Sequence, residues 1–329
     1  MGWCLVYAMD LEAVVTKNLN SSLLSSQMFS LFDMCNCVGY FKVSCQVVHT
    51  VPKLSGSVTG IAVLNDRMYV SHNVDGQIAV YCPANFQFQQ YLNCYCSSCR
   101  KRSGYISQCC YPLYGYGYTL ELQHVVACDI NNCLYISIQD RYNGNRICKV
   151  AVDQNNKLFC WFVHGTIPQC LSVTSSGNVL VAVTNANVMQ EYSQQGQLIR
   201  QTKLQPAGIT NPIHAVQLSN DHFGVTHHGP KHQFSIVNSD GQLVQRYGSD
   251  AGDMSQPQQI AVDQRGRIFV ADQNNNRILV IDSKTLSAYP LRLLTECELN
   301  GPYSIHFDAA SNRLYIGEWN GCRIHCCQL

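Results

Sequence analysis

The chain has 329 residues, of which 13% are charged and 46% are hydrophobic, and its formal net charge is +1. This composition excludes a disordered chain, which would be poor in apolar residues and rich in charge. The near-neutral balance is also unlike that of a globally basic nucleic-acid binder, so we do not expect DNA as a partner. No run of 18 apolar residues occurs, so neither a membrane-spanning helix nor a membrane partner is predicted.

Nineteen cysteines and the start of the chain together predict a compartment. Met1–Asp10 contains no basic residue and ends in an acid, unlike a secretory signal. Without export the thiols should stay reduced, and the odd count excludes complete intramolecular pairing. We therefore expect a cytoplasmic protein with mostly free thiols. Residues 1–40 are predicted to be an N-terminal extension, either a short amphipathic helix or disordered.

Short runs typical of β-strands recur along the chain at a nearly constant interval. They begin at positions 68, 134, 179, 223, 268 and 314, at intervals of 66, 45, 44, 45 and 46 residues. A period near 45 residues made of short strands is typical of propeller blades. Prolines, which are tolerated where a strand begins, keep the same period at Pro168, Pro212, Pro257 and Pro302. The sequence predicts an all-β fold, a six-bladed β-propeller of four-stranded antiparallel blades.

The propeller is expected to span residues 41–329 and to close through its N-terminal end. The last unit reaches Leu329 after three predicted strands, one short of a complete blade. The run at 41–50 resembles the outer strands of other units and precedes the first complete unit. We predict that this run pairs with the last blade as its outer strand, because closure removes exposed sheet edges.

The most regular unit, Pro257–Asp282, reads PQQIAVDQRGRIFVADQNNNRILVID. It resembles the NHL repeat, and Gly301–Ile324 is similar to that repeat to a lesser degree. The resemblance implies a six-bladed propeller that binds protein or RNA and has neither catalytic activity nor a cofactor. NHL propellers often follow RING, B-box and coiled-coil modules, so the resemblance also implies a substrate-recognition module related to ubiquitin-ligase proteins. A lactonase- or lyase-type propeller hydrolase is the enzymatic alternative, because some distant six-bladed relatives are enzymes.

Acid–base pairs recur where the second strand of a unit turns into the third. The pairs are Asp272 with Arg277, Glu318 with Arg323, and Asp140 with Arg146. A group that recurs from blade to blade belongs to the scaffold, whereas a catalytic group need occur only once. We interpret these residues as structural ion pairs that connect adjacent strands across the turn. A ring of charges that binds a ligand is the alternative interpretation.

An insertion at 95–117 accounts for the long interval between the first two units. It is basic, rich in tyrosine and cysteine, and contains no acidic residue. Connections between blades lie on the same face of a propeller as the turns just described, so we expect the insertion on that face. The residues predicted to contact a partner there are Arg100, Lys101, Arg102, Tyr105, Arg141, Lys231 and His228.

Cations beside aromatic rings are compatible with two kinds of partner. A protein with an acidic surface is the first. Single-stranded RNA is the second, because its phosphates pair with cations and its bases stack on rings. The insertion also allows a zinc site, since thiolates ligate zinc, but the irregular cysteine spacing favours free thiols. The candidate zinc ligands are Cys94, Cys96, Cys99, Cys109 and Cys110.

An enzyme of the lyase type would need several metal ligands that converge on the propeller axis from different blades. The inner-strand positions predicted to face the axis are Gly60, Cys170, His214, Gln259 and Ser304. One histidine among them is too few for a metal cage. We therefore expect a polar lining of the axis and no catalytic residue.

Overall fold

The computed structural model describes residues 43–51, 54, 56–73, 77–92, 94–96, 101–103, 121–139, 145–152, 156–163, 168–219, 221–248, 250, 252–285, 287–293 and 297–329. The chain divides into two units, Met1–Val43 and Ser44–Leu329, and the second forms the fold. Six antiparallel sheets, with short parallel additions at two outer edges, make up this unit. The predicted six-bladed propeller is confirmed. Within each blade we call the strands a, b, c and d from the axis to the rim.

The strands follow one another blade by blade. The first strand, β1 (Ser44–Val51), belongs to the last blade. Blade 1 comprises β2 (Val58–Leu64), β3 (Arg67–His72), β4 (Ile78–Tyr81) and β5 (Phe88–Tyr91). Two short strands follow, β6 (Cys94–Cys96) and β7 (Lys101–Ser103). Blade 2 comprises β8 (Glu121–Cys128), β9 (Cys133–Gln139), β10 (Arg146–Ala151) and β11 (Lys157–Phe162).

The remaining blades repeat this order. Blade 3 comprises β12 (Pro168–Val173), β13 (Val179–Val183), β14 (Val188–Tyr192) and β15 (Leu198–Lys203), followed by a 3-10 helix, Gln205–Ala207. Blade 4 comprises β16 (Pro212–Ser219), β17 (His222–His228), β18 (His232–Asn238) and β19 (Leu243–Tyr247). Blade 5 comprises β20 (Pro257–Val262), β21 (Arg267–Asp272), a 3-10 helix (Gln273–Asn275), β22 (Arg277–Asp282) and β23 (Ala288–Pro290). Blade 6 comprises β24 (Arg292–Leu293), β25 (Pro302–Asp308), β26 (Arg313–Glu318), β27 (Ile324–Gln328) and β1.

The hydrophobic core lies between neighbouring blades. Strands b are buried on both faces, as in β13, where all five residues Val179–Val183 are buried. A buried Tyr69 of blade 1 packs in one cluster with Ile136 of blade 2, and Tyr135 of blade 2 packs with Val181 of blade 3. Strands buried on two faces read as continuous apolar runs. This explains why the repeated runs were the clearest signal in the sequence.

Each a strand is interrupted by a bulge close to its beginning. In blade 4 the pairing shifts between Pro212 and His214, and blades 1, 2 and 6 shift at Gly60, His124 and Ser304. A bulge redirects a side chain out of the regular alternation of a strand. The residues at the bulges therefore sit where the six blades meet.

The ring closes through β1, as predicted. This strand pairs antiparallel with β27, with Val51 opposite Ile324. Both residues belong to the core cluster shared by blades 6 and 1. On its other side β1 is joined by β24 in parallel, with Ser44 opposite Arg292.

The described part of the insertion differs from the predicted loop on one face. Strand β6 adds in parallel to the outer edge of blade 2, with Tyr95 opposite Lys157, and β7 pairs antiparallel with β6. The d strand of a blade offers unpaired N–H and C=O groups, and an added strand satisfies them. The insertion thus widens blade 2 at its rim.

One disulfide occurs among the described residues. It joins Cys148 to Cys160, which lie opposite each other on β10 and β11 with their Cα atoms 4.1 Å apart. In the same part of the chain the free thiols are Cys45, Cys82, Cys128, Cys133, Cys170, Cys297, Cys322, Cys326 and Cys327. Over the described residues, no helix has both the length and the apolar character needed to cross a membrane.

Candidate functional site

The turn between strands b and c of blade 5 is held by one buried carboxylate. Asp272 is fully buried, and its Oδ2 atom lies 2.8 Å from both Arg277 Nε and Asn275 Nδ2. Its Oδ1 atom accepts a hydrogen bond of 2.7 Å from the backbone N–H of Ser255. Arg277 also donates to the carbonyl oxygen of Asp253 at 2.6 Å. These contacts connect strand b and strand c of blade 5 to the segment that precedes β20. The role of Asp272 and Arg277 is therefore structural.

Blade 6 repeats this arrangement with a glutamate. Glu318 Oε2 lies 2.8 Å from Arg323 Nε, and Glu318 Oε1 accepts from the backbone N–H of Asn300 at 2.8 Å. Burial alone would raise the pKa of Glu318, but hydrogen bonds from His325, Arg323 and Asn300 lower it below its usual value. In blade 2, Asp140 lies outside the described residues. Its predicted partner Arg146 is buried, with its guanidinium 5.9 Å from the centre of the Phe162 ring.

The described residues among those predicted to contact a partner lie on blades 2 and 4. Lys101 and Arg102 belong to β7 at the rim of blade 2. Lys231 is exposed in the b–c turn of blade 4. Arg100, Tyr105 and Arg141 lie outside the described residues, as do Cys99, Cys109 and Cys110 of the candidate zinc set. Cys94 and Cys96 form the ends of β6.

His228 has a structural partner. Its Nε2 atom lies 2.9 Å from the carbonyl oxygen of Pro257 in blade 5, so the ring donates to that oxygen. Burial lowers the pKa of His228 to about 4, so the side chain is neutral at pH 7. Its ring lies 5.2 Å from that of His232. The side chain predicted as a surface contact therefore connects blades 4 and 5, and no local sequence pattern distinguishes the two roles.

The rim of the propeller exposes large apolar side chains on the d strands. Phe88 and Tyr91 of β5 are 49% and 43% exposed, and Phe159 and Phe162 of β11 are 50% and 48% exposed. We call these four residues the blade 1–2 rim. Other exposed apolar residues on d strands are Val48, Leu198, Ile199, Leu243 and Val244. A hydrophobic run such as that of β11 resembles a buried strand in the sequence, whereas the structure places it on the outer side of blade 2, next to β6.

The axis is filled by polar side chains that connect the blades. His214 of blade 4 is 3% exposed, and its Nε2 atom lies 3.1 Å from the carbonyl oxygen of Leu171 in blade 3. Its Nδ1 atom accepts a hydrogen bond of 2.9 Å from the backbone N–H of Ile260 in blade 5. The ring must be neutral, because Nδ1 accepts while Nε2 donates. Burial accordingly lowers the pKa of His214 to about 4.

Neighbouring axial side chains also form hydrogen bonds to the backbone of other blades. His124 of blade 2, whose ring lies 5.8 Å from that of His214, accepts at Nδ1 from the backbone N–H of Leu171 at 3.0 Å. Gln259 of blade 5 donates to the carbonyl oxygen of Thr59 at 2.7 Å. In the described part of the chain, no three His, Cys, Asp or Glu side chains are grouped closely enough to hold a metal ion. The described axial residues hold the ring together.

Six blades closed by an N-terminal strand define a closed β-propeller, and comparison with known proteins shows what parts of this chain are similar to. The family model described as NHL repeat matches residues 254–281, which belong to blade 5 and the segment before it. Protein brain tumor of Drosophila melanogaster is 28% identical over 122 residues, and B-box type zinc finger protein ncl-1 of Caenorhabditis elegans is 26% identical over 121 residues. The chain is therefore a six-bladed β-propeller whose blade 5 matches the NHL repeat.

The matches have limited extent. Each alignment covers 36% of this chain but only 12% of protein brain tumor and 14% of ncl-1. The solved WD40 β-propeller domain of Doa1 has a TM-score of 0.57 at 12% identity, covering 87% of this chain and 97% of that one. A streptogramin B lyase has a TM-score of 0.55 at 12% identity, covering 85% of this chain and 97% of that one. At such identities the likeness shows the fold alone.

Proposed function

We propose that the chain is a non-catalytic recognition scaffold that binds a protein partner. The observation that carries this proposal is the blade 1–2 rim, where four aromatic side chains are 43–50% exposed on the outer strands of adjacent blades. Aromatic residues are enriched at protein interfaces relative to the rest of the protein surface. The chain's similarity to protein brain tumor and ncl-1 supports a binding role.

The basic insertion extends the same region. Lys101 and Arg102 lie in β7 at the outer edge of blade 2, and β6 separates this strand from β11, which carries Phe159 and Phe162. A partner with acidic groups around an apolar centre would complement this arrangement, because interfaces combine an apolar core with a polar rim. We further propose that the chain acts in the cytoplasm as the substrate-recognition part of a ubiquitin-ligase system.

Affinity capture with matched variants tests the proposal. The full chain, the double variant Phe88→Ser/Phe162→Ser and the control Leu198→Ser/Ile199→Ser would be used to retain proteins from a cell extract. We expect a set of proteins retained by the native chain and the control to be lost with the rim variant. Equal retention by all three would contradict binding through this rim. Lys231→Ala tests whether the partner also reaches the b–c turns.

Two further measurements distinguish single-stranded RNA from a protein partner. RNA binding would weaken steeply between about 50 and 200 mM salt, because bound phosphates release counterions. It would also be lost in the variant Arg100→Ala/Lys101→Ala/Arg102→Ala. A complex that persists at high salt and survives this triple variant favours a protein partner held by the aromatic residues.

A further inference from the structure

A cleft of about 1110 Å³ opens beside blade 6. Its walls come from β1, from the segment that follows β23 and from the beginning of β27, and they include Val47, Thr50, Leu293, Cys297, Arg323 and His325. We call it the blade 6 cleft. Apolar and polar side chains meet there, as is usual in small-molecule sites.

A thiol, an imidazole and a carboxylate form a hydrogen-bonded series in this cleft. Cys297 Sγ lies 3.3 Å from His325 Nδ1, and His325 Nε2 lies 2.9 Å from Glu318 Oε1. Glu318 is ionised at pH 7 because its pKa is lowered. The carboxylate therefore accepts the proton of Nε2, and in the neutral imidazole Nδ1 is the acceptor that faces the thiol. This is the geometry in which a base removes a proton from a nucleophile.

One other group reaches the same nitrogen atom. Thr50 Oγ1 lies 3.1 Å from His325 Nδ1, so its hydroxyl competes with the thiol for the single lone pair. Burial raises the pKa of Cys297 above its usual value. The resting thiol is thus protonated, and its attack on a carbon atom requires a base in contact with the sulfur.

Comparison with blade 5 shows that a blade can fold without the hydrogen-bonded thiol and imidazole found in blade 6. Arg277 and Arg323 have the same role in the two blades: Arg277 contacts the carbonyl oxygens of Gly252 and Asp253, and Arg323 contacts that of Glu298. The residue two positions after Arg277 is Leu279, whereas the residue two positions after Arg323 is His325.

The cysteine that contacts His325 is also absent from the equivalent position in blade 5. The residue before Asp253 is Gly252, whereas the residue before Glu298 is Cys297. Blade 5 thus folds with glycine and leucine at the two positions that hold cysteine and histidine in blade 6. The packing of the repeat therefore requires neither residue.

We propose that Cys297 is a nucleophilic thiol that accepts an acyl group from an ester or thioester bound in the blade 6 cleft, with His325 as its base. The Sγ atom attacks the carbonyl carbon, and the new C–S bond replaces the bond between that carbon and the leaving oxygen or sulfur. The thiol proton passes to His325 Nδ1 and then to the leaving atom. Glu318 is a positioning residue that orients the imidazole. The step is stoichiometric and needs no oxidant or reductant.

The reaction of the full chain with p-nitrophenyl acetate tests this proposal. The internal reference is Cys322, a half-buried thiol in the same blade whose Sγ atom lies 3.6 Å from the carbonyl oxygen of Trp319. Peptide mass spectrometry at several reaction times gives the acetylation rate of each thiol. We expect Cys297 to be acetylated at least about tenfold faster than Cys322, because only Cys297 contacts a base. A ratio near one would overturn the proposal.

Two variants separate chemistry from packing. His325→Gln keeps a group that can donate to Glu318 but removes the base, so the ratio should fall to about one while the melting temperature stays close to that of the native chain. An unchanged ratio in this variant would overturn the proposal. Thr50→Val removes the competing hydroxyl and should raise the ratio. If His325→Gln does not fold, a ratio in Thr50→Val that is unchanged or lower overturns the proposal instead.

Discussion

At the scale of single residues, His214 shows how one ring can connect three blades. Replacement by leucine leaves the N–H of Ile260 and the carbonyl oxygen of Leu171 buried without this partner. Each unsatisfied buried group costs about 1–3 kcal/mol, so we expect His214→Leu, which leaves two such groups, to lower the free energy of unfolding by about 2–6 kcal/mol. Urea denaturation followed by circular dichroism measures this change. The control His222→Leu alters an exposed histidine of the same blade, and an equal loss in both variants would contradict the assigned role.

The buried histidines also make stability dependent on pH. Burial lowers the pKa of His214 and of His227 to about 4, and lowers that of His124 well below its usual value. In the unfolded chain these side chains have a pKa of about 6.5. Above about pH 6.5 both states are neutral and the histidines add no pH dependence. Between about pH 6.5 and 4 only the unfolded state binds these protons, so the free energy of unfolding falls as the pH falls.

The measurement compares urea unfolding near pH 7 and near pH 5. We expect the native chain to lose stability between these values, and His214→Gln to lose less, because one depressed group has been removed. Other groups that titrate in this range act equally on both proteins and cancel in the comparison. The same pH dependence in the two proteins would show that His214 takes up a proton in the folded state.

At the scale of strands, β1 completes the ring. Without residues 41–50 the edge of β27 loses most of its ladder of hydrogen bonds, and Phe86 in the core between blades 6 and 1 loses its stacking on His49. Exposed sheet edges promote association between chains. We expect this deletion to cause unfolding or aggregation, measured by thermal melting and light scattering. A truncated chain that melts like the native one would refute closure by β1.

Single substitutions of two valines in β1 test its packing without removing the strand. Val51 is 5% exposed and packs in the core, whereas Val48 is 45% exposed. Val51→Ala should cost about 2 kcal/mol through lost burial and a cavity. Val48→Ala should change stability by less than about 0.5 kcal/mol. Comparable losses would mean that the two side chains have the same surroundings in solution.

The strands also show what sequence reasoning reached and what it missed. The 45-residue period and the prolines predict the blades, because each blade is built from hairpins that are local in sequence. The additions at the rim, β6 and β24, were not predicted, since strands of two or three residues carry no pattern and pair with distant partners. For the candidate site residues, too, contacts within one hairpin could be predicted and contacts between distant segments could not. The pair Asp272–Arg277 belongs to one hairpin, whereas Cys297 and His325 are 28 residues apart on different segments.

At the scale of the whole molecule, hydrogen bonds join each blade to the next around the complete ring. Besides the bonds of the axis, hydroxyl groups of Thr59, Ser172 and Thr226 donate to carbonyl oxygens of the following blade. The links are Thr59 to Leu122, His124 to Leu171, Ser172 to Ala215, Thr226 to Gln258, Gln259 to Ile305 and His306 to Val63. Opening any seam breaks such a bond, and a shared hydrophobic cluster is also exposed at the seams between blades 1 and 2, 2 and 3, 3 and 4, 4 and 5, and 6 and 1.

We therefore expect the ring to unfold as one unit, and two tryptophans allow a direct test. Trp161 lies in blade 2 and Trp319 in the b–c turn of blade 6. In a chain with Trp3→Phe, a further Trp161→Phe or Trp319→Phe change leaves one fluorescent probe in a single blade. Both probes should report the same denaturant midpoint, once each variant's own stability has been measured by circular dichroism. An earlier transition at Trp319 would mean that blade 6 opens while blade 2 stays folded. Pairing of β1 with β27, rather than the bonds between blades, would then limit the stability of the ring.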